Sequence, residues 1–172
     1  MTNSSNPVVL GLGSNRGDSR TILRQAIADL GTRLQGLRAS RLYKSDPRYV
    51  LDQGQFFNCA VAGIFPGLPE ELLSFIQEIE ARYGRNRNLE RPKGERTLDI
   101  DILLLGNTII DNPPTLIVPH PLLIERKFAL LPLLELEPEA RDPRSGEYYW
   151  HIYENLEAQG IYYADFDDYN QR

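Results

Sequence analysis

The stretch ERTLDIDILLLGN, Glu95 to Asn107, sets two carboxylates inside an apolar run. A β-strand alternates faces with a period of two, so Asp99 and Asp101 share one face while Leu98, Ile100, Ile102 and Leu104 share the other. The two acids then stand side by side, about 7 Å apart at the backbone. Like charges this close repel at neutral pH. Paired hard oxygens are also what Mg²⁺ takes: one or two protein carboxylates, with water and phosphate oxygens filling the remaining positions. A divalent ion at the pair would remove the repulsion.

The residues immediately upstream supply the opposite charge. Arg82, Arg85, Arg87, Arg91, Lys93 and Arg96 stand against only Glu90 and Glu95, in a chain whose net charge is −5. From Glu135 onward ten acidic residues face three basic ones. An acidic chain with one concentrated basic segment is a poor general nucleic-acid binder and a better clamp for one compact polyanion. Guanidinium groups bond phosphate in a forked manner. Cations next to metal-type carboxylates fit a nucleoside triphosphate. Gly84 and Gly94 give the segment freedom to close over a substrate.

Other residues are read more plainly. GLGSNRG lacks the phosphate-loop pattern and the full dinucleotide pattern, and is read as a tight turn after the first strand. His120 lies between two prolines. With His151 the only other histidine, a His-based zinc site is unsupported. A single cysteine, Cys59, excludes an internal disulfide, and its place in FFNCAVAGIF suggests a buried thiol. Phe56 and Phe57 are adjacent and must point to opposite faces. One can face the core and the other a flat ligand, with Asn58 beside it to read a heterocycle edge.

These groups need elements to hold them. PVVLGLG is an apolar strand ending in a Gly-rich turn. Asp18 or Ser19 caps a helix with Ile22, Leu23, Ala26, Ile27 and Leu30 inward and Gly31 as its stop. LRASRLYKS reads as a second strand and FFNCAVAGIF as a third. GLPEELLSFIQEIEARYG is a helix with Pro69 in its first turn, Gly84 at its end, and Leu72, Leu73, Ile76, Ile79 and Tyr83 as its core stripe. The Asp-Asp strand follows. The order β-α-β-β-α-β is the split βαβ pattern of a ferredoxin-like α+β sandwich, with an antiparallel sheet and helices on one face. A hairpin around Asp111–Pro114, short helical stretches and an acidic Tyr-rich tail with a short helix near Trp150 come after.

The 172 residues are read as one domain spanning 1–172. No apolar run is long enough to cross a bilayer, and MTNSSNP has neither the basic start nor the apolar core of a secretory signal. A cytoplasmic protein is the expectation, without membrane or nucleic-acid partners.

The combination of LGLGSN, LYKSDP, FFNCAV, ELLSFIQEIEARYGR, RTLDIDILLLGN, VPHPLLIERKFAL and PLLEL, roughly Val8 to Leu136, resembles the 6-hydroxymethyl-7,8-dihydropterin pyrophosphokinase family. The resemblance implies ATP and the pterin as small-molecule substrates, two Mg²⁺ ions and transfer of a pyrophosphoryl group to the pterin's primary alcohol; a monomer is the expectation. Asp99 and Asp101 match its metal-binding aspartates, and Arg85 and Arg96 match arginines that assist transfer. Gln77, Glu80, Arg87, Arg91, Ile102, His120 and Arg126 match the nucleotide side. Ser45, Pro47, Phe56, Asn58 and Phe128 match the pterin side. Asp99 is also a candidate for helping to deprotonate the alcohol. Phe56 stands where Tyr is common, and the loop RPKGER lacks the family's usual Trp. Residues 137–172 lie outside the resemblance and carry no assigned role. Two other readings share the topology: a non-catalytic ATP and pterin binder, and an RNA-binding sandwich, against which the negative charge and the missing aromatic strand signature argue.

Overall fold

The computed structural model describes residues 5–47, 54–85 and 94–167. Strand β1 (Ser5–Ser14) leads into helix α1 (Ser19–Leu30), followed by β2 (Gln35–Ala39), β3 (Leu42–Ser45) and β4 (Phe56–Pro66). Helix α2 (Pro69–Arg82) and strand β5 (Asp99–Leu105) complete the split βαβ pattern. Beyond it lie the hairpin β6 (Ile110–Asn112) and β7 (Leu116–Val118), a 3₁₀ turn (Leu123–Glu125), helices α3 (Lys127–Leu136) and α4 (Tyr149–Asn155), and strand β8 (Ile161–Ala164).

Capping chemistry sets where the helices begin. Asp18 accepts from the Thr21 backbone N–H at 3.2 Å and the Thr21 hydroxyl at 2.7 Å, satisfying a donor that α1 leaves open. Pro69 opens α2, and Glu71 reaches back to accept from the Leu68 N–H at 2.7 Å. Gly84, at a φ of 81°, takes the left-handed conformation that ends α2. The buried side chains of α2 are Leu72, Phe75, Ile76, Ile79 and Glu80. Phe75 thus joins the expected stripe, where it stacks on Phe65 with ring centroids 6.4 Å apart.

The main sheet has the order β5-β1-β4-β3-β8, with β2 also paired to β4, and every pairing is antiparallel. One face packs on α1 and α2 through Leu23, Ala26, Leu30, Leu72, Ile76 and Ile79. The other face is covered too. There Val9, Ala60, Ala62, Leu103 and Leu104 pack under Leu130, Leu133 and Tyr149 of α3 and α4. The one-sided sandwich expected from the β-α-β-β-α-β order therefore gains a second helical layer from its C-terminal region. Helices thus cover much of both faces, unlike the open sheet of an RNA-binding sandwich.

Three local readings change. The stretch Leu37–Lys44 is two strands, with β2 largely exposed and β3 buried. The run GLGS continues β1 to Ser14, so Gly11 and Gly13 are strand residues and only Gly17 sits in the turn, at a φ of 76°. A bulge in the β1–β5 ladder pairs Leu10 with Ile102 and Val9 with Leu104, leaving Leu103 as the extra residue. Leu104 therefore lies on the α3/α4 face, opposite Ile100 and Ile102, and not with them as strict alternation predicts. The tail also has a structural place: β8 pairs with β3 from Leu42↔Ala164 to Ser45↔Ile161. Among the described residues no helix is long and apolar enough to cross a membrane.

Leu23 is fully buried between α1 and the sheet. Leu23→Ala is expected to cost about 2–5 kcal/mol of stability, lowering the urea midpoint at unchanged m-value.

Candidate active site

One sheet face carries two different surfaces. Toward one end it is apolar and sealed by α3 and α4. Toward the other, Gly11 and Gly13 of β1 stand opposite Asp101 and Asp99 of β5, and Gly13 stands opposite Asn58 of β4. A Cβ on Gly13 would meet the Asn58 amide oxygen at 3.5 Å, and one on Gly11 would meet the Leu103 side chain at 3.2 Å. The missing side chains open a cavity of about 110 Å³ over the strands. Asp99 and Asp101 line it on one side, and Ser45, Asp46, Phe56 and Asn58 on another, while Arg96, His120, Arg126 and Phe128 close it.

Asp99 is held by two guanidiniums. Arg85 donates to one oxygen and Arg96 to the other, the latter at 2.5 Å. Burial pushes the Asp99 carboxyl up, but the Arg85 and Arg96 charges and hydrogen bonds outweigh it, so it lies below the usual carboxylate range. With both oxygens engaged and its carboxyl lowered, Asp99 is held as an ionised carboxylate. Arg85 is itself fixed from behind. Its side chain is 8% exposed and donates at 2.8 Å to Glu80, which is 2% exposed. Glu80 also accepts from the Ile100 N–H at 2.8 Å, tying α2 to the start of β5. A buried acid, a half-buried acid and two arginines thus balance in one network.

Asp101 has the opposite environment. The His120 Nε2 lies 3.7 Å from it and the Arg126 guanidinium 3.9 Å, beyond hydrogen-bond reach. Burial, reinforced by the charge of Asp99, pushes its carboxyl up to about 7. Burial and the Arg126 charge push His120 down to about 4, so it is neutral at physiological pH. Its Nδ1 accepts from the Leu122 N–H at 3.2 Å, which leaves the proton on Nε2, toward Asp101. The His120 N–H donates to the carbonyl of Leu103, the bulge residue, at 3.1 Å, so the ladder irregularity anchors the histidine.

On the far wall, Asn58 donates to the Ser45 hydroxyl at 2.8 Å, and both side chains are buried. Phe56 faces the cavity, whereas Phe57 packs against the α1/α2 core, as adjacent strand residues must. The Arg126 guanidinium lies 5.7 Å from the Phe128 ring centre.

Not every candidate meets here. Gln77 is exposed on α2 and does not line the cavity, and Pro47 stands beside it while Asp46 lines it. The Ile102 side chain belongs to the α1/α2 core. Arg87 and Arg91 lie outside the described residues. Sequence reasoning missed Asn15, whose amide oxygen accepts from the Arg96 N–H at 2.8 Å while its own N–H donates to the Arg96 carbonyl at 3.0 Å. It also missed the two glycines as cavity floor. Their period-two spacing, matching that of the aspartates across the ladder, was the available signal.

The donor set fits a divalent cation in part. Two hard carboxylates share a face, and a positive charge beside Asp101 would offset the burial and the Asp99 charge that raise it. Among the described residues no group of three or more His, Cys, Asp or Glu side chains is arranged to hold a metal, so ligand oxygens and water would have to complete the shell.

A family model described as 7,8-dihydro-6-hydroxymethylpterin-pyrophosphokinase matches residues 9–138. The chain is 42% identical over 134 residues to the 2-amino-4-hydroxy-6-hydroxymethyldihydropteridine pyrophosphokinase of Bacillus subtilis, covering 77% of this chain and 78% of that protein. It is 39% identical over 141 residues to a folic acid synthesis protein of Pneumocystis carinii, covering 81% of this chain but only 18% of that longer protein. The fold is shared with the crystal structure of Plasmodium falciparum HPPK-DHPS, with a TM-score of 0.70 at 17% identity, over 88% of this chain and 45% of that one.

Removing Glu80, the buried acid of the Glu80–Arg85–Asp99–Arg96 network, should leave an uncompensated charge on Arg85. Glu80→Ala is expected to lower stability by about 3–5 kcal/mol, measured by urea denaturation. A second expectation concerns pH without metal present. Between the ordinary carboxylate value of 3.8 and about 7, the unfolded chain has released the Asp101 proton and the folded chain keeps it, so stability falls as pH rises and then levels off. Asp101→Asn should therefore gain on the parent chain across this window, with the gain constant above it, in chelator-treated thermal melts.

Proposed function

The chain belongs to the 7,8-dihydro-6-hydroxymethylpterin-pyrophosphokinase family, and on that footing we propose that it transfers the pyrophosphoryl group of ATP to the hydroxymethyl group of 6-hydroxymethyl-7,8-dihydropterin, releasing AMP, as a step of folate biosynthesis in the cytoplasm. The observation that carries the reading is one cavity in which the two carboxylates of β5, the Arg96 and Arg126 side chains and a flat-ligand wall from β4 and α3 converge.

In this reading the alcohol oxygen attacks the β-phosphorus in line, its bond to phosphorus forms as the α–β bridging bond breaks, and AMP leaves with the bridging oxygen. The alcohol proton is lost to solvent. Such transfers need placement and charge stabilisation more than covalent help from the protein. Asp99 and Asp101 would hold two Mg²⁺ ions, which neutralise phosphate charge when bound. Arg96 lines the cavity and is positioned to meet phosphate oxygens, with its main chain clasped by Asn15. Arg85 does not line the cavity. Locked between Glu80 and Asp99, it contributes fixed positive charge and holds Asp99 in place. His120 offers a neutral Nε2–H donor, and Arg126 offers a cation on the same side. Phe56 and Phe128 form the stacking surfaces for the pterin, and the Asn58–Ser45 pair reads its edge.

Incubation with ATP, Mg²⁺ and the hydroxymethylpterin should yield AMP and the pterin diphosphate in equal amounts; binding of both substrates without AMP would leave only a non-catalytic binder. Asp101→Ala should lower kcat by orders of magnitude at saturating Mg²⁺. Phe128→Ala should act chiefly on the KM for the pterin, and near-normal kcat in Asp101→Ala would refute the metal assignment.

A further inference from the structure

Residues beyond the family match touch both walls of the cavity at main-chain atoms. Gln159 is half-buried and both ends of its amide are engaged. Its Oε1 accepts from the Lys127 N–H at 3.0 Å, and its Nε2 donates to the Glu125 carbonyl at 2.9 Å. The amide therefore bridges the main chain on either side of Arg126. Helix α3 starts here with Arg126 as its N-cap and no side-chain cap of its own, so Gln159 satisfies one of its open donors from a distant part of the chain. Arg126 and Phe128, both in the cavity wall, hang from this turn.

The next residue holds the opposite wall. The Gly160 carbonyl accepts from the Asp46 N–H at 3.0 Å. Strand β8 begins immediately after and pairs Ile161 with Ser45. A Cβ on Gly160 would lie 2.1 Å from an Asp46 carboxylate oxygen and 2.9 Å from its Cγ, so a side chain here would displace the Asp46 carboxylate. Asp46 and Ser45 both line the cavity. The segment is secured further along, where Arg20 donates to the Asp165 carbonyl at 2.7 Å, Arg24 donates to the Phe166 carbonyl at 2.8 Å, and Ala164 is buried in the core.

We propose that Gln159 and Gly160 form a bracket that fixes the separation of the two substrate-binding walls, with Gln159 as the positioning residue for Arg126 and Phe128. Two adjacent residues grip the Ser45–Asp46 wall and the Arg126–Phe128 wall, and the short main-chain link between them limits how far the walls can part. The heterocycle of the proposed reaction must be held between these walls, so the inference rests on that reading for its catalytic consequence. It does not rest on it for its geometry.

Gln159→Met keeps the side-chain volume and removes both hydrogen bonds. It should raise the KM for the hydroxymethylpterin about tenfold, within what two lost net hydrogen bonds supply, while kcat changes much less and the thermal midpoint stays within a few degrees. Gln159→Glu, which keeps the acceptor for Lys127 and loses the donor to Glu125, should fall between the two. A parent-like KM in Gln159→Met overturns the bracket, as does a lowered thermal midpoint with KM unchanged. A parent chain that makes no AMP overturns the proposed reaction instead. Amide hydrogen exchange then decides on the bracket: faster exchange at both Lys127 and Asp46 in Gln159→Met supports it, and exchange matching the parent at either amide overturns it.

Discussion

The repulsion between Asp99 and Asp101 organises this molecule. Neighbouring carboxylates on one strand face would destabilise most sheets. Here the cost is divided unequally. Asp99 is stabilised by two arginines that are themselves held by Glu80 and Asn15, whereas Asp101 faces a neutral histidine and a distant guanidinium. The pair is thereby split into one acid that stays ionised and one whose charge depends on what is placed beside it. Unequal environments for paired acids are a recurring way to give them different tasks.

The surrounding fold makes room for that asymmetry. Glycines stand across the ladder from both acids, so nothing from β1 covers them. The bulge at Leu103 returns the far half of β5 to the apolar layer under α3 while its carbonyl anchors His120. The same sheet face can therefore be a packed core at one end and a polar cavity at the other. Bulges next to functional sites re-aim side chains in this way.

Much of this could be read from the residues. The period-two placement of the acids, the capping residues of α1 and α2, the burial of Cys59 and the divergence of Phe56 from Phe57 all follow from local rules, and the structure agrees with each. What could not be read depends on pairing between distant segments. Apolar residues on both sides of the bulge look alike, so alternation put Leu104 on the wrong face. Strand β8 is made of residues that favour strands, but nothing local to Ile161–Ala164 says that it pairs with β3. Glu80 sits in an amphipathic helix where charged residues normally face water. Only the fold reveals that it is buried against Arg85 and the start of β5.

Cys59 borders the cavity from strand β4, yet it is 2% exposed, and burial pushes its thiol up to about 12. It is held in the protonated form, which is a weak nucleophile. Electrophilic compounds that settle between Phe56 and Phe128 would find no reactive sulfur within the pocket. Inhibitors of this site must gain their hold from stacking, hydrogen bonding and charge alone, and the chain should resist thiol-directed oxidants and alkylating agents while it remains folded.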